Sequence, residues 1–216
     1  MFDEFQRIRV INLPERRDRK LEMQSELRRI GLGTDPRVDF FPAIRPDTIG
    51  NFRQIGEHGV FLSHLSILEE GGSVLILEDD CDFTRSVREA RPAADILWGG
   101  YVARELSIEG AHCMGFSAAT VERVVPYLRH ILARPDCPPI DGAYALFCRD
   151  NPDIAVNACN PPIAVQRPSD SDITPLPTSK LLRRAKRPLK RLLMRSGGFE
   201  EVRARLRQAK ADEAQS

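Results

Sequence analysis

The run Val74-Leu75-Ile76-Leu77-Glu78-Asp79-Asp80, set directly after Gly71-Gly72-Ser73, passes from four apolar residues to three acids with no turn residue between them. A short continuous apolar run behind a glycine pair predicts a strand buried on both faces, as in the interior of a parallel sheet. Open α/β sheets place their ligands at the carboxyl ends of such strands, and acids gathered there suit a metal ion or a polyphosphate. Side chains alternate along a strand, so Glu78 and Asp80 are expected on one side and Asp79 on the other. Two hard oxygen ligands with open water positions suit Mg2+ or Mn2+ bridging to a diphosphate, leaving Asp79 to hydrogen-bond a sugar or ribose hydroxyl. Asp80 and Asp82, around Cys81, form an alternative pair if the strand ends earlier. The same acids also read as a solvated loop capping the strand.

Toward the amino terminus, Arg7 to Leu13 reads as a strand and Pro14 as a turn. Glu15 to Ile30 reads as a helix, with Leu21, Met23, Leu27 and Ile30 near helical spacing and Gly31 placed to end it. Val38 to Ile44 predicts a second strand, with Pro42 and Pro46 marking an edge or an exit. Gly56 to Glu70 predicts a helix carrying Val60, Phe61, Leu65 and Leu68 on one face and leading into the acidic strand. Toward the carboxyl terminus, Asp95 to Trp98 and His112 to Phe116 are strand candidates. Ser117 reads as the N-cap of a helix that reaches about Ala133 and kinks at Pro126. Ile154 to Val156 and Ile163 to Gln166 are short β-like pieces, Arg167 to Thr178 reads as irregular, and the core is expected to end near Thr174. The alternation predicts an α/β fold, one domain over residues 1–175 with a mixed, mostly parallel sheet, followed by a basic helical tail over residues 176–216.

A chain of 216 residues holds one substantial core plus an appendage, and 42% hydrophobic with 29% charged residues excludes wholesale disorder. The net charge of +1 is unevenly laid out. Residues 180–195 carry eight cations and no acid, and residues 196–216 balance four against four, which leaves residues 1–179 at −7. Five cysteines, Cys81, Cys113, Cys137, Cys148 and Cys159, are an odd number without C-x-x-C spacing and fit a reducing compartment. The start Met1-Phe2-Asp3-Glu4 lacks an apolar signal core, and no window approaches the roughly 18 apolar residues of a membrane span, so a cytoplasmic location is expected. Lys180 to Arg195 sets Leu181, Leu182, Ala185, Leu189, Leu192 and Leu193 near helical spacing among its cations, interrupted by Pro188. That pattern suits adsorption to an anionic membrane surface, here the inner face of the cytoplasmic membrane, and equally suits a helix docked on the acidic core. No aromatic interleaving or fold signature points to specific nucleic-acid binding.

Four blocks in order, V-I-N-L-P-E-R-R at Val10 to Arg17, G-E-H-G-V-F-L-S-H at Gly56 to His64, V-L-I-L-E-D-D at Val74 to Asp80 and P-I-D at Pro139 to Asp141, resemble the glycosyltransferases of family 25. These are lipopolysaccharide-type sugar transferases related to procollagen galactosyltransferases. A fifth, weaker match is Gln166 followed by S-D-S-D-I at Ser169 to Ile173, so the likeness spans residues 8–173. The resemblance implies a GT-A-like fold, a nucleotide-sugar donor (UDP-sugar in the family), a glycan or glycolipid acceptor and Mn2+ or Mg2+. Glu78, Asp79 and Asp80 then stand at the D-x-D element, with Glu78 and Asp80 on the metal and Asp79 on the donor.

Asn12, Arg16 and Arg17 follow the first strand, where the resemblance implies nucleotide contacts; arginine forks match phosphate geometry, and the same residues also read as a charged first helical turn. Glu57, Ser63 and His64 match the family's G-E-x-G-x-x-x-S-H element and carry over as donor-binding, although His64 also reads as a buried hydrogen-bonding residue. Val60 stands where the family pattern often has Cys. An inverting transfer, which the resemblance implies, needs a base for the acceptor hydroxyl. Asp141 in the P-I-D block is the candidate, and it also reads as a helix cap. Gln166 and Asp172 are implied helpers at the donor and the metal. The links from Phe41 to Glu57 and from Cys81 to His112 are short for acceptor loops, which keeps a sugar-nucleotide binder without turnover as an alternative. A receiver-type phospho-acceptor domain is a further rival, requiring an aspartate at a strand end about fifty residues on, where Asp136 is the candidate.

Overall fold

The computed structural model describes residues 2–89, 95–104 and 107–167. The chain order is β1 (Arg7–Asn12), α1 (Arg17–Arg29), β2 (Val38–Pro42), α2 (Ile55–Glu69), β3 (Val74–Glu78), β4 (Cys81–Phe83), β5 (Ile96–Arg104), β6 (Ser107–Phe116), α3 (Ala118–Leu132), α4 (Ile140–Asp150), β7 (Val156–Ala158) and β8 (Ala164–Gln166). Six strands form one sheet in the order β2-β1-β3-β6-β5-β7, and β4 with β8 forms a second, two-stranded sheet. β1 lies parallel to both β2 and β3, β6 is antiparallel to β3 and to β5, and β7 is parallel to β5. β6 alone therefore runs against the other five strands, and the fold is the mixed, mostly parallel α/β type. Residues 168–216, which include the expected domain end near Thr174, Asp172 and the Lys180 to Arg195 segment, lie outside the described residues.

The acidic strand is central, and its apolar run is continuous because the sheet has a core on each face. Val74 and Ile76 enter the core filled by Phe61, Leu68, Val124, Leu128 and Phe147. Leu75 and Leu77 enter the opposite core, with Phe5, Met23, Leu27 and Phe83. All four strand residues are fully buried. Each such side chain contributes roughly 1.5–3 kcal/mol relative to exposure.

Helix α1 stops as its sequence requires. Gly31 takes φ +86, Gly31 N–H donates to Arg28 O and Leu32 N–H to Leu27 O, a Schellman closure that a β-carbon at Gly31 would strain. Its inward face differs from the expected stripe, for Leu21 is 65% exposed. The buried positions are Arg19, Met23, Glu26 and Leu27, spaced i, i+4, i+7 and i+8, and Leu21 falls on the opposite side of that helix. Two of these four are charged and buried because both are paired. Glu26 accepts from Phe83 N–H at 2.7 Å and from Arg29, tying α1 to β4, a strand whose three residues gave no sequence signal.

The two strand candidates at Asp95 to Trp98 and His112 to Phe116 are the ends of the longer antiparallel pair β5 and β6. Gly99, Gly100 and Gly110 break the apolar pattern, and the register shifts on either side of Gly100. A β-carbon at Gly100 would lie 2.1 Å from His112 Nε2, so glycine is what lets the buried imidazole lie against the neighbouring strand. Ser117 caps α3 as expected, accepting from Thr120 N–H at 3.2 Å, and the helix runs through Pro126. The predicted strand at Ile154 to Val156 sits two residues later, at Val156–Ala158, where β7 pairs with β5.

Leu77→Ala is expected to cost about 2–5 kcal/mol and Leu21→Ala to stay within about 0.5 kcal/mol. Urea unfolding of the two variants checks this, and equal losses would overturn the assignment of the α1 inward face.

Candidate active site

The carboxyl ends of β1 and β3 lie side by side. Ile11 is in register with Glu78, and Asp79 N–H donates to Ile11 O at 3.1 Å. Past Glu78 the strand gives way to a turn, so strict alternation ends there and the three acids meet three different surroundings.

Asp79 turns toward α1. Asn12 Nδ2 donates to one of its oxygens at 2.7 Å and Arg19 Nη1 to the other at 2.8 Å. Burial raises the Asp79 pKa, and the Arg19 charge and the Asn12 amide offset part of that rise. Both oxygens thus have protein donors, and Asn12 also donates to Arg16 O, which folds the link between β1 and α1 around the acid.

Glu78 faces the other way, with Oε1 3.8 Å from His64 Nε2 on α2. Burial acts to raise its pKa, but His64, then His112 and Arg19, outweigh burial and hold Glu78 below the usual carboxylate range. Asp80 sits between these two arrangements. Its Oδ2 is 3.5 Å from Arg19 Nη1 and 3.4 Å from Gln166 Nε2, while its buried Oδ1 has no hydrogen-bond partner among the described residues. Burial, and then the charge of Glu78, push Asp80 up to about 7. Within this pair Glu78 keeps the charge and Asp80 takes the proton.

Asp82, the other half of the alternative acid pair, is committed elsewhere. Its Oδ1 accepts from Arg167 Nε at 3.1 Å and Nη2 at 2.8 Å, and Arg167 also pairs with Glu22 and donates its backbone N–H to Asp80 O. Gln166 reaches Asp80 because β8 pairs with β4, with Cys81 opposite Gln166.

The remaining sequence candidates fall in several places. Arg16 forms a fork with Asp18 at 3.0 and 2.9 Å, and Arg17 is exposed on the first turn of α1. The arginine among the acids is Arg19, one half-turn further on. The i, i+4, i+7, i+8 spacing that puts it on the buried face with Met23, Glu26 and Leu27 was the signal that could have found it. Glu57 accepts from Arg53 N–H at 3.2 Å at the start of α2. Ser63 Oγ donates to Gly59 O at 2.7 Å and accepts from Ile44 N–H at 2.9 Å, fastening the segment after β2 to α2. His64 is fully buried, with Nδ1 at hydrogen-bond distance, 3.0 Å, from Tyr144 Oη. Asp141, in the first turn of α4, accepts from Gly142 N–H at 2.9 Å and from Gly110 N–H at 2.8 Å, while Trp98 Nε1 donates to Gly110 O. Asp172 lies outside the described residues.

Among the described residues no group of three or more His, Cys, Asp or Glu side chains could hold a metal ion. Mg2+ and Mn2+ at diphosphate sites need less, one or two carboxylates with water and phosphate completing the shell. Asp80, with an unpartnered oxygen, and Glu78, whose charge Asp80 senses, fit that smaller set.

No protein-family model matches the chain, and no curated protein matches it in sequence. Among solved structures, a glycosyltransferase involved in the glycosylation of the major capsid of PBCV-1 aligns with 84% of this chain and 98% of its own, at 9% identity and a TM-score of 0.48. A CTP:phosphocholine cytidylyltransferase from Streptococcus pneumoniae aligns with 71% of this chain and 89% of its own, at 10% identity and a TM-score of 0.37.

The Asp80 proton is held more tightly in the folded chain than in the unfolded one, where the ordinary value is 3.8. Its contribution to stability is therefore whole below about pH 4 and lost as pH rises through about 7. Asp80→Asn keeps the shape and removes the titration. The variant should match wild type at pH 4 and exceed it increasingly as pH rises, by up to roughly 4 kcal/mol at pH 8. Parallel thermal melts across that range decide it, and a constant difference would show that Asp80 is charged throughout.

Proposed function

We propose that this chain is a metal-dependent glycosyltransferase of GT-A type, resembling family 25, that moves a hexose from a UDP-sugar to a glycan or glycolipid acceptor. The observation that carries the proposal is the divided set of acids at the end of β3. Asp79 is fixed to Asn12 and Arg19, while Glu78 and Asp80 leave an unpartnered buried oxygen at the carboxyl end of a central strand. Glu78 and Asp80 would hold Mn2+ or Mg2+, which when bound would neutralise charge on the departing nucleoside diphosphate.

Arg19, with Arg16 and Arg17 nearer the surface, supplies cationic donors on the diphosphate side. Asp141 is the candidate base. Each of its oxygens accepts one backbone amide, and a carboxylate oxygen retains a second lone pair with which to take a hydroxyl proton. Gln166 beside Asp80 is a candidate donor contact, and Asp172 a candidate metal ligand. The segment Lys180 to Arg195 would bring the enzyme to an anionic membrane surface carrying a lipid-linked acceptor.

The receiver-type reading loses its key residue. Asp136 stands in an exposed turn before α4, in a fork with Arg134 at 3.0 and 2.9 Å, and not at a strand end.

Calorimetric titration of UDP with and without Mn2+ tests the proposal. Wild type should bind tighter with the metal, and Asp80→Asn should remove the metal's effect. Arg19→Ala should weaken binding at least tenfold, whereas Arg16→Ala and Arg17→Ala should change it by less than about threefold, since a phosphate contact from the buried fork is worth about 1.5–3 kcal/mol. Absence of UDP binding by wild type in both conditions would overturn the UDP-sugar assignment. Binding without any Mn2+-dependent turnover of UDP-sugars would leave a binding protein.

A further inference from the structure

We infer that His64 and Tyr144 are positioning residues that aim Glu78 at the metal-diphosphate group, and that His64 does not touch the donor itself. This rests on the proposed metal-nucleotide site. Both side chains are fully buried, on two helices that meet beneath the end of β3. The Tyr144 hydroxyl carries one hydrogen and lies 3.0 Å from His64 Nδ1. When it donates there, the imidazole hydrogen resides on Nε2, the nitrogen facing Glu78 Oε1 at 3.8 Å. That nitrogen has no hydrogen-bond partner among the described residues, although it is buried.

A buried N–H with one acceptor in front of it draws that acceptor, so the chain from Tyr144 through His64 pulls the Glu78 carboxylate toward α2. The contact is longer than a hydrogen bond, and a small rotation of Glu78 closes it. Asp79 is held on the opposite side by Asn12 and Arg19. The two braces keep neighbouring acids from collapsing onto one cation, and leave Glu78 and Asp80 to act together. The serine and histidine of the G-E-H-G-V-F-L-S-H block then have distinct tasks, Ser63 fastening the segment after β2 and His64 aiming the acid.

The test is Mn2+-dependent UDP binding by the full chain, read by calorimetry and by Mn2+ paramagnetic resonance, with UDP binding in the absence of metal as the reference. His64→Gln places an amide N–H where Nε2 was, and should stay within threefold of wild type. His64→Asn keeps a group near Tyr144 but offers nothing to Glu78, and should weaken Mn2+-dependent binding tenfold or more while metal-free UDP binding is unchanged. In a Glu78→Gln background the same His64→Asn change should have no further effect. Equal behaviour of the Gln and Asn variants, or a loss that persists undiminished in the Glu78→Gln background, would overturn the inference. Tyr144→Phe is the second probe if the His64 variants do not fold, with a threefold to tenfold loss expected and wild-type metal dependence overturning. A wild-type protein that fails to bind Mn2+ and UDP together would instead remove the functional proposal on which the inference stands.

Discussion

Three carboxylates in succession at the end of a buried strand repel one another, and the packing around β3 is organised by that repulsion. At an effective dielectric near 20, two unit charges about 5 Å apart cost roughly 3 kcal/mol, comparable with what an apolar side chain of the strand contributes by burial. The fold meets the cost in three different ways. Asp79 receives a guanidinium and an amide, Glu78 is set against an imidazole, and Asp80 retains a proton. The next acid, Asp82, is neutralised separately by Arg167. Counter-charges on buried groups must come from specific elements, so this one requirement fixes which face of α1 turns inward, why β8 returns to β4, and which helix carries His64.

Much of this was legible in the sequence. The apolar run of β3, the alternation of helices and strands, the glycine stop after α1 and the serine cap of α3 are local signals, each with a local physical cause, and the structure bears them out. Opposite placement of Glu78 and Asp79 also followed from strand geometry alone. What could not be read was the pairing of charges across distance. An apolar-stripe argument put Leu21 inside and passed over Arg19 and Glu26, because a charged residue belongs on a buried face only if its partner is there too. Those partners, Asp79 and Phe83 N–H, come from about sixty residues further along. Arg16 and Arg17 stood out for following the first strand within the V-I-N-L-P-E-R-R block, whereas Arg19 is distinguished only by its angular position on the helix. β4, three residues long, has no signal of its own and exists through its partner β8 and its ties to α1. The ends of β5 and β6 were hidden by glycines, of which Gly100 and Gly110 make room for His112 and Gly99 for Cys113 and Ile163.

The match to a nine-residue block likewise named residues without naming their work. Glu57 and Ser63 satisfy backbone groups at the start of α2 and after β2, so two of the three residues carried over as donor contacts have structural partners already. A motif records that certain residue types recur together, and geometry shows what each of them holds in place.

The reversed strand β6 divides the central sheet in sequence as well as in space. β2, β1 and β3 are made by the first 78 residues, and β6, β5 and β7 by residues 96–158, with the β3–β6 pairing as the seam. Asn12 and Arg19, which hold the Asp79 carboxylate, belong to the first set, so that half of the acid cluster can assemble before the rest of the chain has been made. The Glu78 side cannot, because the hydroxyl that orients His64 arrives with α4. During synthesis the Asp79 side of the acid cluster is thus complete early, and the Glu78 side is completed only when the seam closes, which makes closure of the sheet and completion of the cluster a single event.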